Sequence, residues 1–174
     1  MQKKHHVLLL LSGLFMSTAA HAQLVSVQVF DILNAVSCES DVQEEYPAIE
    51  HSVLWENGVM NTLFDAGYIV SNMPVSRIAQ ALVPPASLEE AQDAGIDILI
   101  CLYLAYDLCA PSGQVRGPAA LRPAALSWEV RYPSRAGQGQ GVQEWMLEPS
   151  RTDKETVRQA ESLGRTIISG LNGR

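Results

Sequence analysis

Few residues in this chain are equipped for chemistry. Four histidines are encoded, and His5, His6 and His21 all lie near the start. His51 stands alone beyond them. If the first 22 residues are removed, as their pattern suggests below, a site built from several imidazoles of one chain is excluded, and a Ser/His/Asp or Cys/His nucleophile would need His51 as its base. His51 falls in a helical pattern between Glu50 and Ser52. Sequence neighbours on a helix do not face each other, so a structural helix histidine is expected. Glu129 and Glu144 lie on successive strands of a hairpin and could stand across from one another as an acid/base pair. Glu39, Asp41, Glu44 and Glu45 offer oxygens to Ca²⁺ but lack the loop spacing that calcium requires, and they read as a solvated charge run. Gly137, Gly139 and Gly141 alternate like a phosphate cradle, yet no helix follows them. A hairpin tip is the better reading. After residue 22 the only lysine is Lys154, at a helix start. No catalytic residue, cofactor or metal is implied.

The first 22 residues carry the marks of a secretory signal. Lys3 and Lys4 form a positive start, Val7 to Met16 is mostly apolar, and Ala20-His21-Ala22 offers small residues to a peptidase. Cleavage would make Gln23 the first residue of a single domain over 23–174. No cysteine follows the apolar run, so a lipid anchor is not expected there, and the location implied is periplasmic or secreted. Trimming removes two lysines and no acid, so the exported chain is more acidic than the formal −7 of the precursor. With a pI near 5.0, a nucleic-acid partner is not expected. No apolar run reaches the roughly 20 residues of a membrane span.

The elements that must position these residues follow from periodicity. Leu24 to Leu33 alternates as a strand. A helix runs from about Ala48 to Asp65 on a stripe of Ile49, Val53, Met60, Leu63 and Phe64, and Gly67 closes it. Tyr68 to Asn72 is a short strand, and Ser76 to Leu82 reads as one or two helical turns. Ser87-Leu-Glu-Glu90 has the spacing of a capping box, opening a helix to Ala94. Ile96 to Asp107 is the strongest strand, its apolar run fitting a place covered on both faces. Residues 110–125 form a proline-rich loop, 126–132 and 142–148 form a hairpin, and a second capping box at Thr152 to Glu155 opens a last helix. The fold class expected is α/β: a single layered domain, with helices packed on a mixed sheet of about five strands, in the order β-α-β-α-β-β-β-α.

Two helix–strand junctions carry a family likeness. Ala91-Gln-Asp-Ala94-Gly95-Ile96-Asp97-Ile98-Leu99-Ile100 and Leu63-Phe-Asp-Ala-Gly67-Tyr68-Ile69-Val70 resemble those of the periplasmic α/β domains of cell-envelope assembly proteins. That group includes the curli secretion protein CsgG, the N-terminal domain of TolB and the penicillin-binding-protein activator LpoB. The likeness extends in element order over most of residues 24–172. Cys101 stands where the group often has glycine, a lipid-attachment cysteine is missing, and the 110–125 loop is rich in proline. The resemblance implies a non-catalytic role: scaffolding, gating or activating an envelope machine.

Cys38 follows the first strand and Cys109 the third, and Cys101 sits within the third as a small buried hydrophobe. If those two strands are parallel neighbours, a Cys38–Cys109 disulfide becomes geometrically reasonable in an oxidising compartment. The function expected is a non-catalytic interaction or scaffold protein of a secretion, flagellar or cell-wall assembly. A cell-wall hydrolase or a periplasmic ligand-binding protein is the alternative. Expected partners are envelope proteins, with self-association also open. Arg116 and Arg122 in the long loop, with Trp128 and Trp145 on the hairpin, are the candidate contact residues, although core packing suits each tryptophan as well.

Overall fold

In a computed structural model of the chain, the residues described are 23–34, 50–107, 121–135, 138–150 and 152–173. The element order is β1 (Leu24–Asn34), α1 (Glu50–Asp65), β2 (Ile69–Asn72), β3 (Ser76–Arg77), α2 (Pro85–Asp93), β4 (Ile98–Asp107), β5 (Pro123–Arg131), β6 (Gly139–Trp145) and α3 (Asp153–Asn172). The sheet runs β2-β1-β4-β5-β6, and β3 pairs with β1 beyond β2. β1 is parallel to β2, β3 and β4, whereas β5 and β6 join in antiparallel fashion. The expected α/β domain on a mixed sheet is therefore present.

Strand alternation divides the core between the two faces of the sheet. Val25, Val27 and Val29 of β1 share one face with Ile98, Ile100, Leu102 and Leu104 of β4 and with Leu126, Trp128 and Val130 of β5. On that face, α1 contributes Trp55, Val59 and Leu63, and α3 contributes Ala160, Leu163 and Ile167. The opposite face holds Phe30, Leu99, Cys101 and Tyr103, with Ala91 of α2 and Val83 packed against them. β4 is buried on both faces over Ile98–Leu104, as its unbroken apolar run requires.

Several local expectations are corrected. Ser76–Arg77 is a two-residue strand, not a helical turn, because its backbone pairs with Phe30 and Asp31 of β1. α2 begins at Pro85, two residues before the expected cap, and no side chain caps it. Proline presets the backbone angle of a first helical residue, so Ser87 lies inside the first turn and is buried. Gly139 and Gly141 belong to β6 and not to the hairpin tip. On α1, Val53 and Phe64 are exposed, at 41% and 71%. The buried stripe is Trp55, Val59 and Leu63, a strict four-residue repeat that turns Ser52 and Glu56 inward as well. Two positive-φ glycines end the helices, Gly67 after α1 as expected and Gly95 after α2. The box at Thr152 is fully formed: Thr152 Oγ1 accepts from Glu155 N, and Glu155 Oε2 accepts from Thr152 N.

Candidate functional site

Three places gather polar or exposed residues. The first lies at the carboxyl ends of β1 and β4, where the chain turns from one side of the sheet to the other. In open α/β sheets such a switch point is the usual ligand crevice. Here it is filled from within. Asp31 takes an inward position on β1 and is 2% exposed, while Ser52 on α1 is 1% exposed. Ser52 Oγ donates to Asp31 Oδ1 at 2.6 Å. Since a hydroxyl has one proton, the 2.9 Å contact with Tyr106 is made by the Tyr106 OH donating to Ser52. Burial raises the carboxyl of Asp31 above its ordinary range, and the Ser52 bond and the charge of Arg77 offset this in part. Burial also pushes the Tyr106 hydroxyl upward. His51 is buried in the same turn of α1. A nucleophilic Ser52 would need an open approach, and this geometry closes it.

The second place is on the α2 face. Glu129 is fully buried and opposite Cys101 in the β4–β5 register. The Tyr103 hydroxyl donates to one carboxylate oxygen, and Arg131 Nη2 stands 2.5 Å from the other. Glu144 pairs across from Ser127 instead and is exposed. The two carboxylates expected to face each other across the hairpin therefore do not. The strand register is the reason: Glu144 falls two residues along β5 from Glu129, which itself sits at a bulge between the Trp128–Gln143 and Val130–Gln140 pairs. The Cys101 thiol is pushed upward by burial and by the Glu129 charge, which suits an inert core sulfur.

The third place is the outer rim of β6, the last strand of the sheet. Val142 and Met146 are 47% and 89% exposed. Segment 145–149 and α3 enclose a groove of about 440 Å³ that includes Trp145, Met146, Arg158 and Arg165. Its floor is tied by Gln159, whose side-chain amide mimics a strand partner. Gln159 Oε1 accepts from Glu148 N at 3.0 Å and Gln159 Nε2 donates to Glu148 O at 2.8 Å. Of the candidate contact residues, Trp145 lines this groove, partly buried against the core. Trp128 is 2% exposed and belongs to the core, so its side chain offers no contact surface. Arg122 stands at the approach to β5, where Nη1 donates to Leu121 O at 3.2 Å. Arg116, Cys38, Cys109 and the acidic run Glu39 to Glu45 lie outside the described residues.

Asp31, Tyr103 and Arg131 did not stand out in the sequence. Asp31 does carry a readable signal, as an acid continuing the Val25-Val27-Val29 series, whereas Glu129 alternates with Trp128 and Val130 and so reads as facing away from them. No protein family matches the chain, and no curated protein does. Among solved structures, a PelC dodecamer from Paraburkholderia phytofirmans is similar at 15% identity and a TM-score of 0.38, over 82% of this chain and 84% of that chain. A point variant of the same dodecamer is similar at 19% identity and a TM-score of 0.37, over 82% and 86%. At such scores neither likeness assigns a function.

Proposed function

We propose that the chain is exported, trimmed after Ala22, and serves as a non-catalytic interaction or scaffold protein of a cell-envelope assembly. The observation that carries this reading is the contrast between its two ends of polarity. The polar groups at the strand ends, where an α/β enzyme would take its substrate, are bonded inward to one another. Val142 and Met146, by contrast, face outward on the rim of β6, which is the last strand of the sheet among the described residues. Such a rim suits contact with another polypeptide. Among the described residues no helix is long and apolar enough to cross a membrane. A photo-reactive residue placed at Met146 in intact cells tests the reading, with one at the exposed Gln92 of α2 as control. The expected result is a defined cross-link to an envelope protein, or to a second copy, from position 146 only. Absence of any cross-link, together with release of soluble fragments from cell-wall material by the purified protein, would overturn it.

A further inference from the structure

The proposed cut falls between Ala22 and Gln23, and β1 begins one residue later. Gln23 is exposed, but its carbonyl accepts the Ile69 N–H at 3.3 Å. Leu24 is held twice by Asp97: Leu24 N donates to Asp97 Oδ2 at 2.9 Å, and Leu24 O accepts from Asp97 N at 2.9 Å. Trimming would thus leave a glutamine whose carbonyl side is pinned to the sheet. Its α-amine and side-chain amide would stand together in solvent.

We propose that Gln23 becomes the terminal residue and closes to pyroglutamate, an inference resting on the export reading above. The α-amino nitrogen, with an ordinary pKa of about 8, is partly neutral near neutral pH. It attacks the Cδ carbonyl of its own side chain, a ring closure favoured because both partners are in one residue. The new bond is Nα–Cδ and the bond that breaks is Cδ–Nε2. The nitrogen that leaves does so as ammonia, carrying a proton given up by the α-amine. No oxidation occurs and no co-reactant is required. The backbone carbonyl of Gln23 takes no part, so the Ile69 N–H keeps its acceptor.

The product protects a vulnerable place. β1 lies between β2 and β4 in the sheet. An aminopeptidase removing Gln23 would take the Ile69 bond, and one removing Leu24 would take both Asp97 bonds. A lactam has no free α-amine for such an enzyme to grip.

The test uses the full-length gene product, recovered cold and at neutral pH from the extracytoplasmic fraction of its host. Intact mass with whole-protein fragmentation avoids ring closure during digestion. The expected chain starts at residue 23, lacks one ammonia, and yields no Leu24 to leucine aminopeptidase until pyroglutamyl peptidase has acted. Gln23→Ser, which has no side-chain amide to close, is expected to start at the same position with a free amine and to release Leu24 directly. A native chain that starts at Gln23 and retains its ammonia overturns this inference and leaves the export reading standing. A chain starting at Met1, or cut elsewhere, removes the export reading and the inference with it.

Discussion

At the scale of single residues, buried Asp31 makes the fold sensitive to pH. The carboxyl of Asp31 is raised by burial, with Ser52 and Arg77 opposing. An acid whose folded-state value exceeds its unfolded one holds its proton more tightly when folded. Its contribution therefore favours the fold below about pH 4, the ordinary carboxyl range, and is lost as pH rises through the raised value. Asp31→Asn keeps an oxygen to accept from Ser52 but cannot ionise. Its urea midpoint is expected to exceed that of the parent at neutral pH, with the gap closing on acidification. A gap that stays constant with pH would contradict this. Glu129 poses a different case, because its charge is matched by Arg131 and bonded by Tyr103. Removing one partner strands the other, at about 3–5 kcal/mol for a fully buried pair. Arg131 is 29% exposed, which places Arg131→Ala toward the lower figure. Replacing Glu129 and Arg131 by leucine and Tyr103 by phenylalanine together should recover much of the loss, read from urea unfolding of the single and combined variants.

At the scale of elements, helix α1 crosses α3 through small residues. A Cβ added at Gly58 would overlap Ala160 Cβ, and one added at Gly164 would come within 2.8 Å of Thr62 Cβ. Neither glycine has the positive φ that marks Gly67 and Gly95, so close approach is the reason for both. Gly58→Ala and Gly164→Ala should each cost about 1–3 kcal/mol by overpacking, and Ala160→Gly should restore part of the first loss, as measured by thermal or urea unfolding. The strand ends make a second claim. β1 and β4 are parallel neighbours with Asn34 opposite Asp107, which is the arrangement the Cys38–Cys109 bridge requires. Unreduced peptide mapping should find those two cysteines joined and Cys101 free. The bridge would close about 71 residues and contribute roughly 4 kcal/mol in the chain-entropy model. Two free thiols at 38 and 109 would remove it. How legible such elements are depends on whether their cause is local. The α3 cap at Thr152 and the buried run of β4 were readable because each is dictated by neighbouring residues. β3 was not, since Ser76 and Arg77 become a strand only through pairing with Phe30 and Asp31. Nor was the rotation of α1, because the close fit of Gly58 against Ala160 depends on where α3 arrives. The same limit explains the Glu129 site: alternation turns Glu129 away from Trp128 and Val130, and both its burial and the register that parts it from Glu144 belong to the pairing of β5 with β4 and β6.

Across the whole molecule, the two edges of the sheet formed by the described residues differ. On one side, the outer edge of β1 is shared by the short strands β2 and β3, and brief strands offer little backbone to a newcomer. On the other side, β6 runs seven residues from Gly139 to Trp145, with Glu144 as its only charge. Its bulge falls between Gln140 and Gln143 and leaves the stretch to Trp145 regularly paired beyond it. Natural edges are commonly blunted by lysine or proline, and β6 carries neither. Lysine at Val142 and Met146 would supply that missing protection. Both side chains already face solvent, so each change should alter folding stability by no more than about 0.5 kcal/mol. Partner contact should respond in the opposite way. A strand added to this edge would have to bury two ammonium groups beside its own backbone, an expense that unpaired charges do not recover. The double variant is therefore expected to unfold at the parent's urea midpoint while losing the cross-linked species formed from a photo-reactive residue at Gln143. If the cross-link survives with unchanged yield, the contact surface lies on another part of the molecule.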